Sequence, residues 1–122
     1  MDISEKEFQE KWANLVKSLE EQFGGGLDVD GILFLIGVQE LGKGKIKLNK
    51  SQKLDVLHIA VCRLLSQYDY YRFAGYDEEG WPHYEATENL PHLTAMQQHR
   101  MIKMAIIEYF EEENSEEFPE KL

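Results

Sequence analysis

The sequence predicts a compact, mainly α-helical bundle of about four helices, with one aromatic β-hairpin between the third and fourth helices. Apolar residues recur at the spacing of a helix surface in three long segments, at 5–23, 54–68 and 93–112. Between the last two segments, aromatic-rich runs stand on either side of an acidic turn, which is typical of a hairpin, here at about 70–86. The length of 122 residues fits one domain, which we place at 1–112.

The first helix is predicted at 5–23. Ser4 followed three residues later by Glu7 is a capping-box pattern, in which the serine side chain accepts a hydrogen bond from the first turn of the helix. The large apolar side chains of one face are Phe8, Trp12, Leu15, Val16, Leu19 and Phe23. Glycines at 24–26 end the helix, because glycine adopts the backbone conformation of a helix C-terminus without steric cost.

A second helix is predicted at about 30–41, with Asp28 or Asp30 as its N-cap. Its apolar run, 32–38, also fits a buried strand, because periodicity does not separate the two structures over so short a run. The aspartate at the start and the polar end at Gln39 and Glu40 favour a helix.

The third helix, which follows an N-cap at Asn49 or Ser51, is the predicted centre of the fold. Its apolar stripe consists of Leu54, Leu57, Val61, Leu64, Leu65 and Tyr68. A narrow strip that carries Asp55, Cys62, Arg63 and Ser66 stays polar, although a small buried thiol is the favoured interpretation of Cys62. Because the helix is apolar round most of its circumference, we expect the rest of the domain to cover it on several sides.

The hairpin is unusually rich in aromatic residues. Seven aromatic side chains fall within residues 68–84, namely Tyr68, Tyr70, Tyr71, Phe73, Tyr76, Trp81 and Tyr84. Alternate residues of a strand face opposite ways, so not all of these side chains can enter the core of a small domain. Pro82 has no backbone N–H to donate, so the second strand should lie at a sheet edge or begin late.

The last helix is predicted at about 93–112. Both of its sides are apolar, which is consistent with burial on two sides, one of them against another subunit. The remaining residues, 113–122, are strongly acidic and are expected to form a flexible tail.

Composition and charge disfavour several classes of protein. The net charge of −10 argues against broad binding to nucleic acid or to anionic membranes, because the summed field of the protein repels polyanions. The longest apolar run is much shorter than the roughly 20 residues that cross a bilayer, and the N-terminus lacks the features of a signal peptide. A single cysteine fits a reducing compartment, so we expect a cytoplasmic protein.

His58 and Cys62, one helical turn apart, are the weak candidates for a metal or metabolite site. Their spacing allows both side chains to share one metal ion, but such a site needs three or four ligands and the sequence shows no second ligand pair. Nucleophile-elbow, dinucleotide-binding and zinc-protease motifs are all absent. We therefore predict no metal, no cofactor and no catalytic residue, and an enzyme is the weaker alternative.

The hairpin and a lysine-rich segment are the predicted partner-binding surface. Tyr and Trp are enriched at binding hot spots, and some hairpin aromatics are expected to stay exposed. Residues 43–53 contain five lysines and no acidic residue. The predicted contact residues are Tyr76, Trp81, Tyr84, Lys43, Lys45 and Lys47. The sequence thus predicts a small protein-interaction or regulatory module that binds a protein partner or a second copy of itself.

A nucleic-acid-binding domain is the alternative, because the order of three helices followed by a hairpin is similar to that of a winged helix. In that fold the third helix enters the major groove of DNA. The acidic turn at 77–79 would repel DNA, however, and the third helix offers only Lys53 and Arg63 to read bases. The similarity lies in the order of elements alone.

Overall fold

The computed structural model describes residues 3–42 and 47–113. The helices in this part of the chain are α1 (Glu5–Phe23), α2 (Val29–Leu41), α3 (Lys50–Ser66) and α4 (Ala95–Glu113). Strands β1 (Tyr71–Tyr76) and β2 (Pro82–Ala86) form an antiparallel hairpin between α3 and α4. The predicted fold class is confirmed. Of the predicted acidic tail, residues 114–122 lie outside the described residues.

Side-chain caps set the starts of the first three helices. Ser4, Asp28 and Asn49 are the N-caps, and the side chain of each accepts a hydrogen bond from the backbone N–H three residues on, at 2.8–3.1 Å. These bonds satisfy N–H groups that have no partner within the helix. The structure thereby selects Asp28 over Asp30 and Asn49 over Ser51.

Helices α2 and α3 are in close backbone contact at Gly37. A Cβ atom at this position would lie 2.3 Å from the backbone oxygen of Val56, so only glycine allows this contact. Val56 is itself fully buried. The main hydrophobic core includes Leu19, Ile32, Leu33, Ile36, Ala60, Leu64, Leu65, Ile102, Ala105, Ile106, Tyr109 and Phe110.

The predicted stripe of α3 is wrong at Leu54, which is 62% exposed. Cys62, which lies on the strip predicted to be polar, is fully buried, as the interpretation of a small buried thiol expects. The cause is the placement of the neighbours: α2 packs on the side of Val56, and the hairpin covers the side of Cys62, where Tyr71 and Tyr84 come close enough to interact with the thiol. The buried surface of α3 therefore keeps the rest of the predicted stripe and extends beyond it to Val56 and Cys62.

Helix α4 completes the core and packs against α1. Its inner side chains are buried from Ile102 onwards, while Met96 in its first turn is 83% exposed. Arg100 lies over the ring of Phe8, 4.1 Å from the ring centroid, which joins the two helices at the surface. No helix in the described part of the chain is long and apolar enough to cross a membrane.

A β-bulge determines which hairpin side chains share a face. Ala74, between the paired residues Phe73 and Gly75, has no partner on β2. Gly75 has a φ of 109°, a conformation that side-chain-bearing residues rarely adopt. The extra residue shifts the alternation by one position, so Phe73 and Tyr76 lie on the same face, with their ring centroids 5.1 Å apart.

Candidate functional site

The hairpin carries an aromatic surface that the core does not cover. Phe73 is 47% exposed and Tyr76 is 68% exposed, and Phe73 also lies edge-on to Tyr84, 5.7 Å between ring centroids. We call these three residues the aromatic face. The rings meet edge to face, which is a favourable arrangement for aromatic pairs, so the three side chains support one another.

Tyr84 joins the aromatic face to the interior. It is half-buried, and burial, followed by the nearby charge of Glu40, raises the pKa of Tyr84 to about 12. Its hydroxyl therefore stays protonated at neutral pH and remains a hydrogen-bond donor. Tyr84 anchors one edge of the face, while Phe73 and Tyr76 extend into solvent.

The acidic turn of the hairpin is held by Asp77. Its Oδ1 accepts hydrogen bonds from the backbone N–H groups of Trp81 and Glu79, both at 2.9 Å, and its Oδ2 lies 2.9 Å from Nε2 of His83. The hydrogen bond with His83, supported by those from Trp81 and Glu79, lowers the pKa of Asp77 below its ordinary value of 3.8. Both oxygens of the Asp77 carboxylate thus take part in fixing the turn.

A cleft of about 300 Å³ opens between the first turns of α3 and this fixed turn. We call it the hairpin cleft. Its polar and aromatic lining includes Asp55, His58, Glu79, Trp81, His83 and Tyr84. Ile59 and Pro82, both buried, contribute apolar surface. Because Tyr84 also belongs to the aromatic face, the cleft and the face adjoin each other at this residue.

The predicted partner-binding residues are divided between these two features. Tyr76 lies on the aromatic face, Trp81 lines the hairpin cleft, and Tyr84 belongs to both. Lys47 is exposed just before α3, whereas Lys43 and Lys45 lie outside the described residues.

Sequence reasoning missed Phe73 as a surface residue. Strict alternation places Phe73 and Tyr76 on opposite faces of a strand, and the bulge brings them together. The signal was Gly75, because a glycine inside a strand pattern often marks a bulge.

The structure brings His58 and Cys62 together but supplies no further ligand. The Cys62 sulfur lies 3.4 Å from Nε2 of His58, and burial raises the pKa of the thiol to about 11. Among residues 3–42 and 47–113, no group of three His, Cys, Asp or Glu side chains is arranged to hold a metal ion. In this geometry the pair is a buried thiol hydrogen-bonded to an imidazole, not a reactive thiolate.

Arg63, one of the two expected DNA-reading residues, is engaged within the protein. Its Nε lies 3.4 Å from Oε1 of Glu40, and its guanidinium lies over the ring of Tyr109, 5.3 Å from the ring centroid. The turn residues 77–79, at the tip of the hairpin, are acidic and exposed. The charge on this side of the molecule therefore opposes the approach of a phosphate backbone.

Comparison with known proteins found no matching family model, no matching curated protein and no matching solved structure.

Proposed function

We propose that the protein is a small protein-interaction module and that the aromatic face is its binding surface. The observation that carries the proposal is the exposure of Phe73 and Tyr76, 47% and 68%, on a hairpin whose other aromatic residues are at least half-buried. Large aromatic side chains that contact each other in solvent do not stabilise the core. They are the residue types that most often supply binding energy at protein interfaces.

The local structure favours a preorganised surface. The bulge places Phe73 and Tyr76 side by side, and Tyr84 supports Phe73 from the half-buried edge. Binding to an ordered surface costs less conformational entropy than binding that must first immobilise the side chains. A partner that offers an apolar pocket or groove is the expected complement.

Site-specific photocrosslinking in the cells that produce the protein tests this function. The photoreactive residue p-benzoylphenylalanine replaces Tyr76 in one variant and Met96 in a control variant, because Met96 is 83% exposed but lies at the start of α4. We expect a discrete adduct from position 76 and none of the same mass from position 96. Adding Phe73→Ser to the first variant should reduce the adduct about tenfold, because the ring beside the crosslinker is lost.

The mass of the adduct identifies the class of partner. An adduct of twice the chain mass identifies a second copy, and any other discrete mass identifies a different protein. Equal crosslinking from positions 76 and 96, or an adduct that is insensitive to Phe73→Ser, would contradict the proposal. Thermal unfolding of Tyr76→Ser provides the stability control, since substitution of a residue that is 68% exposed should change the free energy of unfolding by only about 0.5 kcal/mol.

A further inference from the structure

The hairpin cleft contains acidic groups that the protein itself does not use. Asp77 is occupied by three hydrogen bonds, but among the described residues the carboxylates of Asp55 and Glu79 form neither an ion pair nor a hydrogen bond. Both side chains are exposed and line the cleft. Two negative charges therefore face the same space without a positive partner.

Aromatic and apolar groups form the rest of this space. Trp81 and Tyr84 line it together with the buried side chains of Ile59 and Pro82. A cation is attracted to the face of an aromatic ring, and indole is the most favourable ring for this interaction. Aliphatic surface beside the rings suits the methylene groups that carry a charged head.

This chemistry selects one class of ligand. The unpaired carboxylates disfavour anions, and the described residues offer no group of three metal-binding side chains. At about 300 Å³ the cleft is at the small end of ligand pockets, which span roughly 300–1,000 Å³, so it suits one side chain instead of a large cofactor. A planar guanidinium stacks on an aromatic ring and binds a carboxylate through two parallel hydrogen bonds, which an ammonium group does not do.

We propose that the hairpin cleft binds the side chain of an arginine presented by a protein partner. Asp55 and Glu79 pair with the guanidinium, and Trp81 stacks on it or on the adjoining methylene groups. This inference rests on the proposed function, because Tyr84 belongs to both surfaces and a partner seated on the aromatic face lies beside the cleft. The partner's apolar groups then contact the aromatic face while its arginine enters the cleft.

Titration of the full chain with N-acetyl-arginine methylamide tests the cleft without the partner. The readout is the indole N–H resonance of Trp81, and the second tryptophan, Trp12 on α1, is an internal control. We expect a saturable shift at Trp81, with a Kd of about 1–10 mM for a single side chain, and no shift at Trp12. The neutral isostere N-acetyl-citrulline methylamide should bind at least about tenfold more weakly, and N-acetyl-lysine methylamide should fall between the two.

Three conservative variants assign the binding to the unpaired carboxylates. Asp55→Asn and Glu79→Gln should each weaken binding of the arginine probe about fivefold or more. Glu78→Gln is the matched control, because Glu78 is an exposed acid in the same turn but does not line the cleft. It removes the same charge and should leave the Kd within about twofold. Dispersed amide spectra of all three variants establish that they are folded.

The outcomes separate this inference from the proposed function. Equal binding of citrulline and arginine, equal loss in Glu78→Gln and Glu79→Gln, or no shift of Trp81 at about 50 mM probe would overturn the arginine site. The crosslinking experiment at position 76 does not depend on the arginine site, so it still tests the aromatic face if the titration fails. If the probe binds as expected but crosslinking fails, the cleft recognises a guanidinium from another source, and the assignment to a protein partner is wrong.

Discussion

Large side chains have opposite roles in two regions of the molecule. One region is the contact between α2 and α3, and the other is the aromatic face of the hairpin. At the helix contact, Val56 is fully buried and Gly37 removes a side chain so that the backbones can meet. On the hairpin, Phe73 and Tyr76 contact each other yet remain largely in solvent. Apolar surface is therefore buried at the helix contact and remains exposed on the hairpin.

If the proposed function holds, stability and recognition depend on different regions of this small domain. Burial of apolar surface stabilises the helices by roughly 25 cal/mol per Å², and a substitution there acts on the whole fold. An exposed aromatic pair gains little of that energy until a partner covers it. We therefore expect substitutions in the helical core to change unfolding and substitutions on the aromatic face to change binding.

The largest expected effect is the loss of a core leucine on α3. Leu64→Ala should lower the free energy of unfolding by about 3 kcal/mol, because Leu64 is fully buried and its truncation leaves a cavity. Leu54→Ala on the same helix should cost about 0.5 kcal/mol or less, since Leu54 is 62% exposed. Urea unfolding followed by circular dichroism measures both. Equal losses would show that the predicted stripe, not the observed one, faces the core.

The second prediction tests whether the hairpin stays closed over the core. Burial raises the pKa of the Cys62 thiol from 9.0 to about 11, which lowers its thiolate fraction at pH 8 about 100-fold. In the native protein, iodoacetamide should alkylate Cys62 at least about 100-fold more slowly than it alkylates N-acetylcysteine. In urea, the rate at Cys62 should rise to that of N-acetylcysteine. Mass spectrometry at timed intervals gives both rates. Native alkylation at the free-thiol rate would mean that the hairpin opens independently of the helices.

The close contact between α2 and α3 gives a third, smaller effect. Gly37→Ala should lower the free energy of unfolding by about 2 kcal/mol, because its Cβ would lie 2.3 Å from the Val56 oxygen and the helices must separate. Gly31→Ala is the control on the same helix. A Cβ atom at Gly31 would meet only side-chain atoms, which lie 3.1 and 3.3 Å away. Gly31→Ala should be nearly neutral. If both substitutions raise the free energy of unfolding by the same amount, the close contact has no effect, and the higher helix propensity of alanine alone explains the result.

The smallest expected effect concerns the turn of the hairpin. The folded-state pKa of Asp77 is lowered by the hydrogen bonds from His83, Trp81 and Glu79. A depressed carboxyl pKa contributes stability that is fully present above the unfolded value of about 3.8 and is lost as the pH falls through the folded value. The difference in Tm between wild type and Asp77→Asn, although small in size, should therefore be fully present at pH 7 and shrink as the pH falls below about 3.8. A difference that grows as the pH falls below about 3.8 would contradict this assignment.

The helices were largely predictable because their signals are local. Capping residues such as Ser4 and Asn49 lie next to the turns they stabilise, and each predicted helix was confirmed to within a few residues at its ends. The hairpin was also predicted correctly from its aromatic runs and acidic turn. These features depend on neighbours in the chain and not on the rest of the fold.

The errors arose where distant segments decide the outcome. Periodicity showed that α3 is apolar on most sides, but only the placement of α2 and the hairpin determines that Cys62 is buried and Leu54 exposed. The hairpin cleft joins Asp55 on α3 to Glu79 in the turn, and no local pattern relates these positions. The partner-binding assignment of Tyr76, Trp81 and Tyr84 stays a prediction until a partner is tested.

The bulge at Ala74 also bears on how the protein avoids aggregation. In a two-stranded sheet each strand has an unpaired edge, and an exposed edge rich in aromatic residues invites other chains to add strands without limit. An irregular strand is a poor template for such addition, because its free N–H and C=O groups no longer match a regular ladder. The surplus residue in β1 therefore makes the edge of this strand a poor template for the addition of further strands.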